Sequence, residues 1–164
     1  QWQLFVFVLS FLVIGRFWMV HHQIYEYLTN YTPALIWANM LWLLSIVFLP
    51  FPTQLLGSPD RQSPLTYALY IGTMVVTSLA ATLQLWIAVR NPAIQAEEVR
   101  GTLRVGPSLS ILLLFVVALI VAVAIPAVGL WALLLTALSG VLDKLLRPHA
   151  APPSLPPTTN TDVP

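Results

Sequence analysis

The sequence predicts an all-α fold, a polytopic bundle of about five membrane-spanning helices, and three observations carry that prediction. Of the 164 residues, 58% are hydrophobic and only 8% charged, where soluble domains carry about 25% charged residues. Apolar stretches near the roughly 20 residues needed to cross about 30 Å of hydrocarbon recur along the chain. Between them lie clusters of Pro, Gly, Asn and Ser, the residues that break helices and form turns. The same composition sets exclusions. The net charge is +1 and no basic tract is present, so nothing points to nucleic acid. Cysteine is absent, which rules out a disulfide framework and a zinc–thiolate site.

The first span is read as residues 2–20, with Trp2 and Trp18 placed like interfacial anchors at its ends. It lacks a basic leading region and a small-residue cleavage site, so it reads as a span and not a signal peptide. Residues 21–33 form a short, polar, tyrosine-rich connection. The second span, 34–49, is expected to stop at Pro50 and Pro52, because proline lacks an N–H and clashes with the preceding turn. This hairpin, about residues 2–57, reads as the core around which the later spans pack. Gly57-Ser-Pro-Asp-Arg-Gln-Ser-Pro64 is a loop by its turn formers. The third span, 65–89, closes at Arg90-Asn91-Pro92. In the 91–107 loop, Glu97 and Arg100 at i,i+3 spacing suit a short interfacial helix.

Residues 109–142 would make a helix of about 51 Å at 1.5 Å per residue, too long for one crossing. Pro126, followed by Gly129, divides them into spans 109–125 and 127–142; the alternative is one kinked helix. Residues 1–147 thus form the transmembrane domain. Residues 148–164 are proline-rich and are expected to be an extended, disordered cytoplasmic tail. With five spans, Arg90, Arg100, Arg104, Lys144 and Arg147 share one side, and Arg61 is the basic residue of the other. Basic loops stay cytoplasmic, so the C-terminus is expected inside the cell membrane and residue 1 outside. An outside start without Met suggests that an earlier span is missing.

Several polar residues sit where an apolar helix would not place them. Arg16 is an ionisable group within a span, which marks either a functional position facing the bundle or a side chain that snorkels to the headgroups. His21, His22 and Glu26 invite a metal reading, but adjacent histidines diverge by about 100° on a helix and no third ligand is suitably spaced. No metal site or cofactor is therefore assigned. Asn39, near the same end of the second span, can hydrogen-bond across helices. Arg16, Trp18, His21 and Asn39 are accordingly grouped as a helix-anchoring polar network, the alternative being separate interfacial groups. Thr73, Thr77, Ala80, Ala81 and Gln84 recur at helical spacing and read as a helix-packing face in preference to a pore lining. No nucleophile elbow, metalloprotease helix, phosphate loop or intramembrane carboxylate pair occurs, so an enzyme is not expected.

The stretch Arg16-Phe-Trp-Met-Val-His-His22, then Leu35-Ile-Trp-Ala-Asn-Met-Leu-Trp-Leu-Leu, then Phe48-Leu-Pro-Phe-Pro-Thr-Gln-Leu-Leu-Gly57 resembles the second and third helices of the transmembrane protein 175 family. These are potassium channels of prokaryotes and of animal endosomes and lysosomes. The likeness covers residues 2–57 by motif and 64–142 by span layout. It implies a six-helix unit assembled in prokaryotes as a homotetramer, with potassium as the permeant ion. It further implies that the pore is lined by a first helix marked Phe-Ser-x-x-x-Asp. This chain lacks that signature, so no ion-selectivity residue can be carried over. What carries over is Trp18 and His21 on the second helix and Asn39 on the third, which are implied to hydrogen-bond the foot of the pore helix.

Three functions follow as expectations. The first is a potassium channel subunit for passive transport, without its pore helix, in which an apolar constriction selects by dewetting or close fit. The second is a non-conducting structural or accessory membrane protein, a truncated remnant of such a channel. The third, a small secondary transporter using Arg16 and the histidines, lacks the midplane carboxylates expected of it.

Overall fold

The computed structural model describes residues 2–58, 60 and 63–125. They form α1 (Trp2–Glu26), α2 (Pro33–Phe48), α3 (Pro50–Gly57), α4 (Pro64–Arg90) and α5 (Gly106–Ala124), with two single 3-10 turns at Pro92–Ile94 and Glu97–Val99. The fold is all-α and polytopic. Four helical stretches, with α2 and α3 counted as one, are long and apolar enough to cross a membrane. The expected span 127–142 and the tail 148–164 lie outside the described residues.

The helix starts follow from local chemistry. Thr32 and Ser63 each precede a proline, and their hydroxyls accept from the N–H of Leu35 (3.2 Å) and Thr66 (3.3 Å). Each satisfies one of the orphan donors of a first turn, and proline is preorganised at the first helical position. At the other end of α4, Asn91 Nδ2 donates to Ile87 O at 2.7 Å, and the Arg90 guanidinium lies 5.1 Å from the centre of the Trp86 ring. A cation over an indole at a helix C-terminus is favoured both by the ring quadrupole and by the helix dipole.

Two boundaries differ from the sequence reading. Helix α1 runs on through His21 and His22 to Glu26, where a polar connection was expected. His22 and Glu26 are one turn apart and pair at 3.3 Å, so polar side chains there stay helical. Helix α2 ends at Phe48, just ahead of Pro50 and Pro52 as expected, but the chain stays helical beyond them. A single residue, Leu49, separates α2 from α3 and is itself right-handed helical (φ −52°, ψ −38°). Proline is tolerated in a first turn, where its missing N–H has no intrahelical partner to lose. The prolines thus open a new helical segment, Pro50–Gly57, ahead of the expected loop.

The organiser of the bundle is α4, not the α1–α2 hairpin. Of its most apolar stretch 67% is buried, against 28% for α1 and 17% for α5. The reason is its small and hydroxylated surface: Thr73, Thr77, Ser78, Ala80, Ala81, Thr82 and Gln84 are all buried. Small residues let helix backbones approach, and hydroxyls bond across the contact. Helix α5 packs along one side, where Ser108 and Thr82 hydroxyls meet at 2.8 Å. Helix α2 runs antiparallel along another. Helix α1 buries one stripe, Val6, Ser10, Val13, Phe17 and Ile24, and its Phe17 meets Phe115 of α5 at 5.7 Å. Its opposite face, with Leu4, Phe7 and Phe11 each more than 60% exposed, is suited to hydrocarbon.

Candidate functional site

The end of the bundle where α1 stops, α2 starts and α4 stops is its foot. The two connections there are tied together. Thr29 N–H donates to Ile94 O and Ala96 N–H to Tyr27 O, both at 2.9 Å, making an antiparallel bridge between Leu28 and Gln95. Gln95 is 1% exposed and fully used: its amide donates to Ala88 O at 2.7 Å, and its carbonyl accepts from Gly101 N–H at 2.9 Å. Gly101 has φ +78°, a backbone conformation that is strained for any residue with a side chain. Leu35, Ala38, Ile87 and Ile94 form a small separate core beneath.

Above that base, His21 of α1 is held on two sides. Its Nε2–H donates to Asn39 Oδ1 of α2 at 2.8 Å. Its ring stacks on Trp42, with centroids 3.9 Å apart and planes 20° apart, and lies 4.6 Å from the Tyr25 ring. The chain folds this way because Tyr25 stands one turn after His21, and Trp42 three residues after Asn39, so each pair shares a helix face. Tyr25, Tyr31, Leu35, Ile36 and Asn39 line a hollow of about 270 Å³ beside the contact. An imidazole fixed at a ring nitrogen and stacked on an indole is an anchor. It joins α1 to α2 at a set angle.

The other two members of the expected network stand apart. Trp18 is 57% exposed and stacks on His22, centroids 5.3 Å and planes 2° apart, since it is His22 that lies one turn on. Arg16 is half-buried, and among the described residues no hydrogen bond or ion pair joins it to His21 or Asn39. Five residues before His21, it points about 140° away around the helix. Among the described residues no three His, Asp or Glu side chains gather as metal ligands.

Thr73, Thr77 and Gln84 are buried on α4. Thr77 Oγ1 is 2.9 Å from both Ser45 Oγ and the Thr73 carbonyl, and Thr73 Oγ1 donates to Leu69 O at 2.7 Å. Gln84 Nε2 donates to Ala38 O of α2 at 3.3 Å. Ala38 opposite Gln84 and Ser45 opposite Thr77 define one antiparallel register, with rungs two turns apart. Trp42 falls between them, at the level of Ala80 in that register, and both are buried. Two polar atoms of this interface, Trp42 Nε1 and Gln84 Oε1, are buried without a hydrogen-bond partner. An apolar groove of about 500 Å³ flanks the interface, with Leu44, Phe48, Leu69 and Val76 in its wall.

Sequence reasoning missed the aromatic bed of His21 and the partners of the α4 stripe. Tyr25 was findable at i+4 from His21; Ala38 was not, because its backbone carbonyl is the acceptor.

Residues 1–50, which hold the first two helices and with them His21, Asn39 and Trp42, match the model of a family described as endosomal/lysosomal potassium channel TMEM175. The chain is also similar to a potassium channel of Streptomyces collinus, with 34% identity over 111 residues, 62% of this chain and 54% of that protein. It therefore spans about half the length of that curated relative. No solved structure matches the chain significantly.

Proposed function

We propose that the chain belongs to the TMEM175 family and is a potassium channel subunit mediating passive potassium transport across the cell membrane. The observation that carries the reading is where the family match falls. It covers the helix pair joined by the His21–Asn39 hydrogen bond and the His21–Trp42 stack. In this reading the contact is a foot anchor that sets the angle of α1 against α2. The permeant ion is potassium, no cofactor takes part, and the protein is a channel and not an enzyme.

The finer proposals rest on the resemblance and on charge. The assembly is a homotetramer, with the ion path lined by a pore helix other than those described. Two hollows among the described residues suit that assignment, because one is a lateral apolar groove and the other a small foot pocket. Arg90, Arg100 and Arg104 are exposed at the foot or in the connection beyond it, which supports a cytoplasmic foot and a cytoplasmic C-terminus. Trp18 and Arg16 serve as interfacial groups beside the anchor.

A second reading, a non-conducting structural membrane protein, is favoured by one observation: the described helices bury their polar groups against each other. Potassium flux into proteoliposomes separates the two. The full-length gene product is reconstituted and compared with protein-free vesicles. Potassium flux above the protein-free level is the expected result. Its absence supports the structural reading.

A further inference from the structure

The Leu49–Pro50 junction is a break in the hydrogen-bond ladder. In a continuous helix the N–H groups of residues 50 and 52 would bond the carbonyls of Ile46 and Phe48, and proline supplies neither. The junction is instead closed by a tight Leu49 N–H to Ile46 O bond and by Thr53 N–H to Leu49 O, both 3.2 Å. The break coincides with a change of partner. Before it, α2 lies along α4 in the register set by Ala38–Gln84 and Ser45–Thr77. After it, α3 runs antiparallel along the first half of α1, where a Cβ on Gly57 would sit 3.7 Å from Gln3.

A chain of hydroxyls crosses this point. Ser10 Oγ of α1 lies 3.1 Å from the Tyr70 hydroxyl of α4 and 3.0 Å from Thr53 Oγ1 of α3. Thr53 Oγ1 donates to the Leu49 carbonyl at 2.8 Å. The proton order closes without conflict: Tyr70 donates to Ser10, Ser10 to Thr53, and Thr53 to the carbonyl at the break. Tyr70 is 1% and Ser10 5% exposed, so the bond between them has no water to compete with it, while Thr53 is half-buried.

We propose that α3 is a hinged segment and that the Ser10–Thr53–Tyr70 relay is the latch that fixes its angle to α2. The break alone leaves the junction free to bend, because two ladder bonds are absent. The relay removes that freedom by tying the carbonyl at the hinge to α1 and α4 together. Releasing it frees α3 and the first half of α1 as a pair, while the register of α2 on α4 is untouched.

The chain has no cysteine, so introduced cysteines take spin labels without background. One pair, Ile36→Cys with Gln54→Cys, spans the hinge on exposed positions. A control pair, Leu65→Cys with Leu83→Cys, spans α4 alone, also on exposed positions. Each covers eighteen residues, about 27 Å at helical rise, within reach of pulsed electron resonance in nanodiscs, with labelled chains diluted in unlabelled ones. Ser10→Ala and Tyr70→Phe each remove a relay bond without changing helix propensity or ring volume greatly. Loss of one hydrogen bond changes the balance between latched and bent arrangements about fivefold. The expected result is a narrow 36–54 distance in the parent that broadens or splits in both variants, with the 65–83 distance unchanged. Thr82→Val, which breaks a hydroxyl pair elsewhere on α4, should leave both distances as they were. An unchanged 36–54 distribution in Ser10→Ala and Tyr70→Phe overturns the latch. So does equal broadening of both pairs, or broadening by Thr82→Val, which would mean general loosening.

Discussion

The His21–Asn39 contact allows its parts to be separated by substitution. Asn39→Ala removes the acceptor 2.8 Å from His21 Nε2, leaving a half-buried N–H without its partner at a cost of about 1–2 kcal/mol. His21→Phe deletes the same bond from the other side but keeps a flat ring over Trp42 and beside Tyr25, so it should cost a similar amount. His21→Ala loses the stacking as well. Each of the two stacked pairs contributes about 0.5–1.5 kcal/mol, which brings the total to roughly 2–5 kcal/mol. Hydrogen bonds between membrane helices couple by about 0.6 kcal/mol on average and up to about 1.7, and the His21→Phe/Asn39→Ala cycle should fall in that range. Trp18→Ala, at a 57% exposed position, should change stability by no more than about 0.5 kcal/mol. The assay is reversible unfolding in mixed micelles titrated with a denaturing detergent. Strict additivity of His21→Phe and Asn39→Ala would refute the bond as an anchor. A Trp18→Ala cost as large as that of His21→Ala would show that the four-residue grouping, and not the pair, is the working unit.

The same unfolding assay reads the other expectations. Thr77→Val keeps the side-chain shape but loses the hydroxyl 2.9 Å from Ser45, and should destabilise by about 1 kcal/mol. Gln84→Met removes both the Nε2 donor to Ala38 O and the unpartnered Oε1, so the two effects offset and the net change should stay within about 1 kcal/mol; a larger loss would assign the weight to the Ala38 rung. Gly72→Ala should stabilise by about 0.5–1 kcal/mol, because a Cβ there meets nothing within 4 Å. Gly101→Ala should destabilise by about 1–2 kcal/mol, because φ is +78°; thermal midpoints of opposite sign check the pair.

The fold class is legible because it follows from quantities that do not depend on packing: few charges, and apolar runs of spanning length. Boundaries are less so. His21-His22-Gln-Ile-Tyr-Glu26 has the composition of a connection, yet a helix emerging from hydrocarbon keeps its backbone bonds whatever side chains it carries. Pro50 and Pro52 carry two meanings, stop or first turn, and the choice depends on whether α1 offers α3 a surface. The polar residues divide by azimuth. His21 and Asn39 stand near facing ends of adjacent helices, and their types are complementary, so their meeting can be read from the residues. Arg16 and Trp18 are as close in sequence, but the helix turns them elsewhere. The hydroxyl partners Ser10, Thr53 and Tyr70 are spread over 60 residues, and no periodicity links them before the proline break is placed.

The family match ends at residue 50, close to the end of α2, whereas the helix that holds α1 and α2 in place lies wholly beyond it. Gln84 bonds the Ala38 carbonyl one residue before Asn39, and Thr77 bonds Ser45 three residues after Trp42. The matched pair is therefore positioned by rungs on α4, and Trp42, at the level of Ala80 between them, receives the His21 ring. Geometry at the foot is thus set by a small-residue face that has no chemistry of its own. A residue can be necessary to the anchor without touching His21 or Asn39, provided it fixes the separation of α2 from α4. The same logic separates the two halves of the second crossing. The foot half takes its position from α4, and the half beyond Leu49 takes its position from α1 and α4 together, through Thr53, Ser10 and Tyr70.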